Sequence, residues 1–451
     1  MSRLRTRLAG AAGLLALLAV ADPALAHGGA VASNRQPVTV PTWLVLMTGG
    51  AAVGASFLLA TFVTDRAMVR AIDGWRRLTP GPGRLARGGA KAVGVLGLVA
   101  VLAVAAVGPT ENNAAVLFVW VGWWAGYTTT TYLVGNSWPA LNPWRTLAGL
   151  LPSLDRPYPD RLGSWPAVLA LLALIWVETV SPITDDPRPL AVVVVAYTFA
   201  TLVGAAVYGA DTWFRRADPM ARVFRYYGAV APVQRTGDGL SLRLPGGALS
   251  ELRVGDDSEV AFVVALLWAT TFDGFVSTGA WADVAGVVRA AGVPLAPVYL
   301  AVLAGGFGVF LGGYRLSSRV ARRTGDTYLS TAAVARRFAP SLLAIAAGYH
   351  LAHYLSFLLS LAPAIVVLAA TPLSTPPQVP VLPLPGWFDL VGMAAILLGH
   401  VLAIWVAHAT AYDLFPGRLQ AVRSQYPFIA VMVFYTMTSL WLLAQPEVTT
   451  P

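Results

Sequence analysis

Apolar runs of roughly 17 to 25 residues, the length range of membrane-crossing helices, make up about half of the chain after residue 41 and alternate with polar loops. They fall at 42–63, 92–108, 114–134, 165–183, 190–210, 259–275, 293–314, 339–363, 388–411 and 428–444. Crossing the hydrocarbon core of a bilayer takes about 20 apolar residues in a helix. The pattern therefore predicts an all-α fold, a polytopic transmembrane helical bundle of about ten spans.

The loops alternate in charge. Arg66, Arg70, Arg76, Arg77, Arg84, Arg87 and Lys91 follow the first run, and Arg315, Arg319, Arg322, Arg323, Arg336 and Arg337 follow the seventh. Alternating with such basic loops stand PTENN, TDDPRP and the charge-free TPLSTPPQVPVLPLPGW. Loops rich in Lys and Arg stay in the cytoplasm, so the basic loops are expected inside a cell membrane, with both ends of the mature multipass chain extracytoplasmic. The largest inner loop, 211–257, opens with DTWFRRADPMARVFRYYG, whose interleaved aromatic and basic residues suit a helix lying on the inner leaflet. Further on, LSLRL and LSELRV flank Pro245-Gly246-Gly247 and predict a small β-hairpin, with a disordered loop as the alternative. In GNSWPALNPWRTL, Pro139 and Pro143 forbid a continued helix and predict a kinked turn at the inner interface. Residues 1–26 carry Arg3, Arg5 and Arg7, then AAGLLALLAVA, then Ala24-Leu25-Ala26, the layout of a cleavable secretory signal. Its removal leaves 27–451 as one transmembrane domain.

Composition narrows the partners. With 57% hydrophobic and 12% charged residues and a mean hydropathy of +0.65, the chain is not a set of soluble domains, and its first partner is the lipid bilayer. The net charge of +9 sits in alternate loops, so it describes topology; no nucleic acid partner is expected. The absence of cysteine removes disulfides, thiolate metal sites and Cys nucleophiles together. Any metal must then be held by His, Asp, Glu or backbone oxygen.

Four of the five histidines stand in the eighth and ninth runs, as His350, His353, His400 and His408. Ionisable side chains at membrane depth are costly and mark functional sites. His350 and His353 are one helical turn apart and suit joint ligation of one metal, whereas His400 and His408 lie roughly 12 Å apart along an axis and cannot share it. With the helices leaving the outer surface near Pro363 and Phe388, His353, His400 and His350 form a layer about 15 to 20 Å deep. If the eighth helix runs on toward Ala370, His408 becomes the better partner. Histidines bonded to backbone or tyrosine without metal are the alternative. Glu178, in LIWVETV, and Asp273, in TTFDGF, sit near the outer ends of their runs as a candidate general base, carboxylate ligand or proton carrier.

Taken together, the signal ending AHGG, NPWRTL, TTFDGF, HLAHYLSF, the GH…AH helix and RSQYP resemble a family of prokaryotic multipass membrane proteins labelled fenitrothion hydrolase or fenitrothion-hydrolase-like. The resemblance implies hydrolysis of apolar phosphotriesters. No HExxH, nucleophile elbow or phosphate loop is present, so the compatible chemistry is a metal-bound water, zinc before copper, with Asp273 or Glu178 as base. The competing expectation is a transporter or metal-handling permease, in which the same residues bind an ion or relay protons. Haem fits less well, because spacings of three and eight do not offer two stacked histidine pairs.

Overall fold

The computed structural model describes residues 42–181, 186–236, 239–374 and 378–445. The expected secretory signal lies outside the described residues. Ten helical segments follow in the predicted order: α1 Thr42–Phe62, α2 Arg84–Val107, α3 at 114–133, α4 Trp165–Val180, α5 Pro187–Tyr208, α6 Asp257–Val276, α7 Leu295–Thr324, α8 Ser341–Ala370, α9 Asp389–Leu414 and α10 Arg418–Leu443. Among the described residues, eight helices are long and apolar enough to cross a membrane. The other two segments are α4, of 16 residues, and α3, which is wound as π-helix over Phe118–Tyr127 between α-helical ends. The chain is an all-α helical bundle whose apolar helices suit a bilayer.

Several ends differ from expectation. Helix α2 starts at Arg84, α7 runs on to Thr324, and α10 begins at Arg418 and passes through Pro427. In each the polar extension lies at the arginine-rich end, where backbone groups need no lipid-compatible side chains. Helix α8 continues through Pro363 to Ala370.

Helix α6 is the centre of the bundle, buried over most of its length, whereas α2 and α5 present most of their surface outward. Helices α8 and α9 run closely side by side because both are stripped of bulk along the seam. A Cβ on Gly348 would stand 2.6 Å from Ala395 O, and one on Gly399 would stand 2.7 Å from Ala344 O. Small residues four apart permit this backbone contact.

The basic loops gather at one end. Arg66 donates to Tyr412 O and Phe415 O, Arg418 to Thr64 Oγ1, Arg336 to Gly255 O, and Gln420 to Asp326 O. A three-stranded sheet forms there, but not as predicted. Strand β1 (Arg76–Pro80) and strand β2 (Val233–Arg235) both pair antiparallel with β3 (Gly239–Arg243). The hairpin therefore turns ahead of β3. Pro245-Gly246-Gly247 ends the sheet instead, because Gly246 takes φ +77° and lies against Leu402, and LSELRV forms no strand.

The expected helix on the inner leaflet is also corrected. Asp218 breaks it by capping Pro219–Gly228, and this second half carries Arg222, Phe224, Tyr226 and Tyr227 into the protein interior. Burial of Arg222 is matched by an ion pair with Glu259 at 3.2 Å. The kinked turn forms as two short helices, Trp138–Leu141 and Pro143–Ala148, each with proline in its first turn.

Candidate functional site

Helices α4, α6 and α8 bring three of the predicted residues together. Glu178 stands in the last turn of α4 and Asp273 in the last turn of α6, both at the end away from the arginine-rich loops. Next to Asp273, Gly274 lets α8 approach: a Cβ there would stand 2.2 Å from the Tyr349 hydroxyl. Consecutive residues of α8 then reach the two acids. His353 Nε2 is 2.9 Å from Asp273 Oδ2, and the Tyr354 hydroxyl is 2.9 Å from the same oxygen and 3.1 Å from Glu178 Oε1.

The order is His353, Asp273, Tyr354, Glu178. A phenol has one proton to give, so Tyr354 can donate to only one of its two carboxyls at a time. Its contact with the other is a hydrogen bond only when that carboxyl is the donor. A proton on either acid would therefore complete the run of hydrogen bonds. Exposure falls along the chain: the His353 and Asp273 side chains are 20% and 14% exposed, while Glu178 is buried.

A second short chain begins beside Tyr354. The His350 ring lies 4.6 Å from the Tyr354 ring, and its Nδ1 is 3.1 Å from the Tyr132 hydroxyl, which in turn is 3.0 Å from Thr129 Oγ1. Trp124, from the π-helical part of α3, meets both the His350 and Tyr354 rings edge-on. Among the described residues, buried His350 Nε2 has no hydrogen-bond partner. Tyr354, Tyr132 and Trp124 were absent from the sequence expectation. Tyr354 alone carried a signal, as the residue after His353 in HLAHYLSF.

The other two histidines stand apart from the acids. His400 Nδ1–H donates to Ile396 O at 2.8 Å in its own helix, and His408 Nε2–H donates to Val63 O at 2.9 Å. A carbonyl only accepts, which fixes each tautomer; among the described residues His400 Nε2 and His408 Nδ1 are buried without a hydrogen-bond partner. That is the posture of a metal ligand, yet among the described residues no group of three or more His, Asp and Glu is arranged to hold a metal ion. Although α8 does run on to Ala370, His408 is held by Val63. Comparisons with family models, curated proteins and solved structures each return no match.

Proposed function

We propose that the chain is a membrane transporter in which His353, Asp273, Tyr354 and Glu178 take up a proton, or a cation in its place, and pass it along the bundle. The observation that carries this reading is the Tyr354 hydroxyl within hydrogen-bond distance of both carboxyls. Intramembrane acids paired in this way are the usual elements of proton relays. On this reading the arginine-rich end faces the cytoplasm and both termini lie outside, so His353 and Asp273 load from the extracytoplasmic side and Glu178 receives.

Proteoliposomes carrying a trapped pH-sensitive dye test it. Under an imposed gradient the wild type moves protons faster than empty vesicles, and Tyr354→Phe, which keeps the ring and removes the shared proton, falls to the empty-vesicle rate. Wild-type vesicles that move neither protons nor a monovalent or divalent cation end the proposal.

The hydrolase reading keeps one observation of its own, the Asp273–His353 pair, a carboxylate-oriented imidazole of the kind that serves as general base. Purified protein acting on an aryl phosphotriester, with and without added zinc, tests it. If that reading is right, Asp273→Asn lowers turnover by about 100-fold or more. Among the described residues the histidines do not converge on one metal position.

A further inference from the structure

Trp124 stands where α3 meets the acids, and its indole is a polar group that the relay above leaves unused. It lies in the π-helical stretch Phe118–Tyr127, is only 4% exposed, and meets the Tyr354 ring edge-on at 6.2 Å. Winding from i to i+5 re-aims side chains relative to an α-helix and is frequent at functional sites. Close packing fixes the depth: a Cβ on Gly126 would stand 3.1 Å from Leu358 Cδ1 of α8. The indole N–H faces two oxygens, one of the Glu178 carboxyl and that of the Tyr354 hydroxyl. Among the described residues it closes a hydrogen bond with neither, and its nitrogen is sealed from solvent.

An unbonded indole N–H is not by itself a signal in this bundle, since Trp138, Trp176, Trp213 and Trp281 each have one as well. What sets Trp124 apart is what it faces. An indole N–H only donates and an ionised carboxyl only accepts, and a hydrogen bond to an ionised group is roughly twice as strong as a neutral one. The N–H therefore gains most when Glu178 is ionised. With it, donors stand around the whole acid pair: His353 Nε2–H on Asp273, Tyr354 O–H between the two carboxyls, and Trp124 N–H beside Glu178. A metal cation needs the opposite, lone pairs aimed at it from several sides. A proton needs one oxygen and leaves the donors where they are.

We infer that Trp124 is the positioning residue that makes the acid pair selective for a proton: its N–H meets ionised Glu178 and takes the lone-pair position that a metal cation would use. This rests on the transport reading above. In the transfer, Asp273 gives its proton to the Tyr354 oxygen as the Tyr354 proton passes to Glu178. Asp273 is left ionised, Glu178 neutral and the phenol unchanged. Before the transfer the Trp124 N–H holds Glu178; after it the N–H is released.

Full-length protein in nanodiscs and in proteoliposomes tests this with one set of variants. Trp124→Phe removes the N–H. Benzothienylalanine at position 124 removes it while keeping the outline of the indole, which covers a failure of Trp124→Phe to fold. Trp138→Phe, in the kinked turn, is the control. The infrared carboxyl bands of Glu178 are those lost in Glu178→Gln. Both N–H-free variants should shift these bands and lower proton flux by about tenfold, whereas Trp138→Phe changes neither. Wild-type flux should be unchanged when Na⁺ and K⁺ are exchanged for choline. Bands that stay in place in both variants overturn the role of Trp124, even in vesicles that carry protons. Flux that follows a Na⁺ or Mg²⁺ gradient overturns the selectivity for a proton. Vesicles that carry no ion while the bands still shift end the transport reading, and the selectivity with it, but leave the contact between Trp124 and Glu178.

Discussion

Single residues set the proton inventory of this bundle, at the acids and at its arginine-rich end. Asp218 caps Pro219–Gly228 through Ala221 N–H and accepts from the Tyr197 hydroxyl at 2.6 Å, buried beneath the loops. Burial pushes its carboxyl up from 3.8 to about 6, even though both hydrogen bonds favour the ionised form. A raised folded-state pKa means that the native protein binds the proton more tightly than the unfolded chain. Its contribution to stability is therefore complete below pH 3.8 and lost as pH rises through about 6. Between those limits the effect is on the order of 3 kcal/mol. Asp218→Asn keeps the cap and removes the titration. Melting curves in detergent from about pH 4 to 7 should show wild type losing stability relative to Asp218→Asn as pH rises, and parallel curves would refute the assignment. Tyr354 shows the opposite kind of residue, one whose role was not legible. A tyrosine in an apolar run reads as packing or interface, and only the fold shows that it stands between two acids.

At the scale of elements, apolar length made the spans legible, and the intramembrane acids and His353 were legible because ionisable groups at that depth need a reason. Partner choice was not legible. Strand β1 is five exposed residues, RRLTP, whose partner β3 lies far along the chain, and no local pattern announces such a pairing. The α8–α9 seam is written in small residues: Ala344, Gly348 and Ala352 recur four apart, as do Ala395, Gly399 and Ala403. This seam holds α8 at the depth where His353 and Tyr354 reach the acids. Gly348→Leu and Gly399→Val would force Cβ atoms against Ala395 O and Ala344 O. Overpacking of this kind costs about 1–3 kcal/mol or more, with little room to relax because the clash is with backbone. Both variants should melt earlier by fluorescence-detected size exclusion, whereas Gly54→Leu on α1, where a Cβ meets nothing within 4 Å, should not. Equal melting of all three would show that the seam is not tight. The π-helical segment touches two sites at once, lining an apolar cavity of about 350 Å³ with Gly122 and Tyr127 while Trp124 meets the His350 and Tyr354 rings.

For the whole molecule, sidedness follows from where the loops meet. Strands from the loop after α1 and the loop after α5 share one sheet. Arg337 reaches Asp413 from the loop after α7 to the end of α9, and Arg216 pairs with Asp160, joining the loops after α5 and α3. Five loops separated by even numbers of spans therefore share one end, which agrees with their common excess of arginine. Lys- and Arg-rich loops remain on the cytoplasmic side during insertion, so this end should face the cytoplasm. The chain has no cysteine, which lets single substitutions report directly. Leu78→Cys and Tyr328→Cys place thiols on exposed positions of the arginine-rich end, and Leu373→Cys places one on the opposite end. In intact cells a membrane-impermeant maleimide should label Leu373→Cys only, and after permeabilisation all three. Labelling of all three alike in intact cells would break the common end apart. The reverse pattern would turn the bundle over, exposing Glu178 and Asp273 to the cytoplasm and reversing the direction in which His353 and Asp273 load.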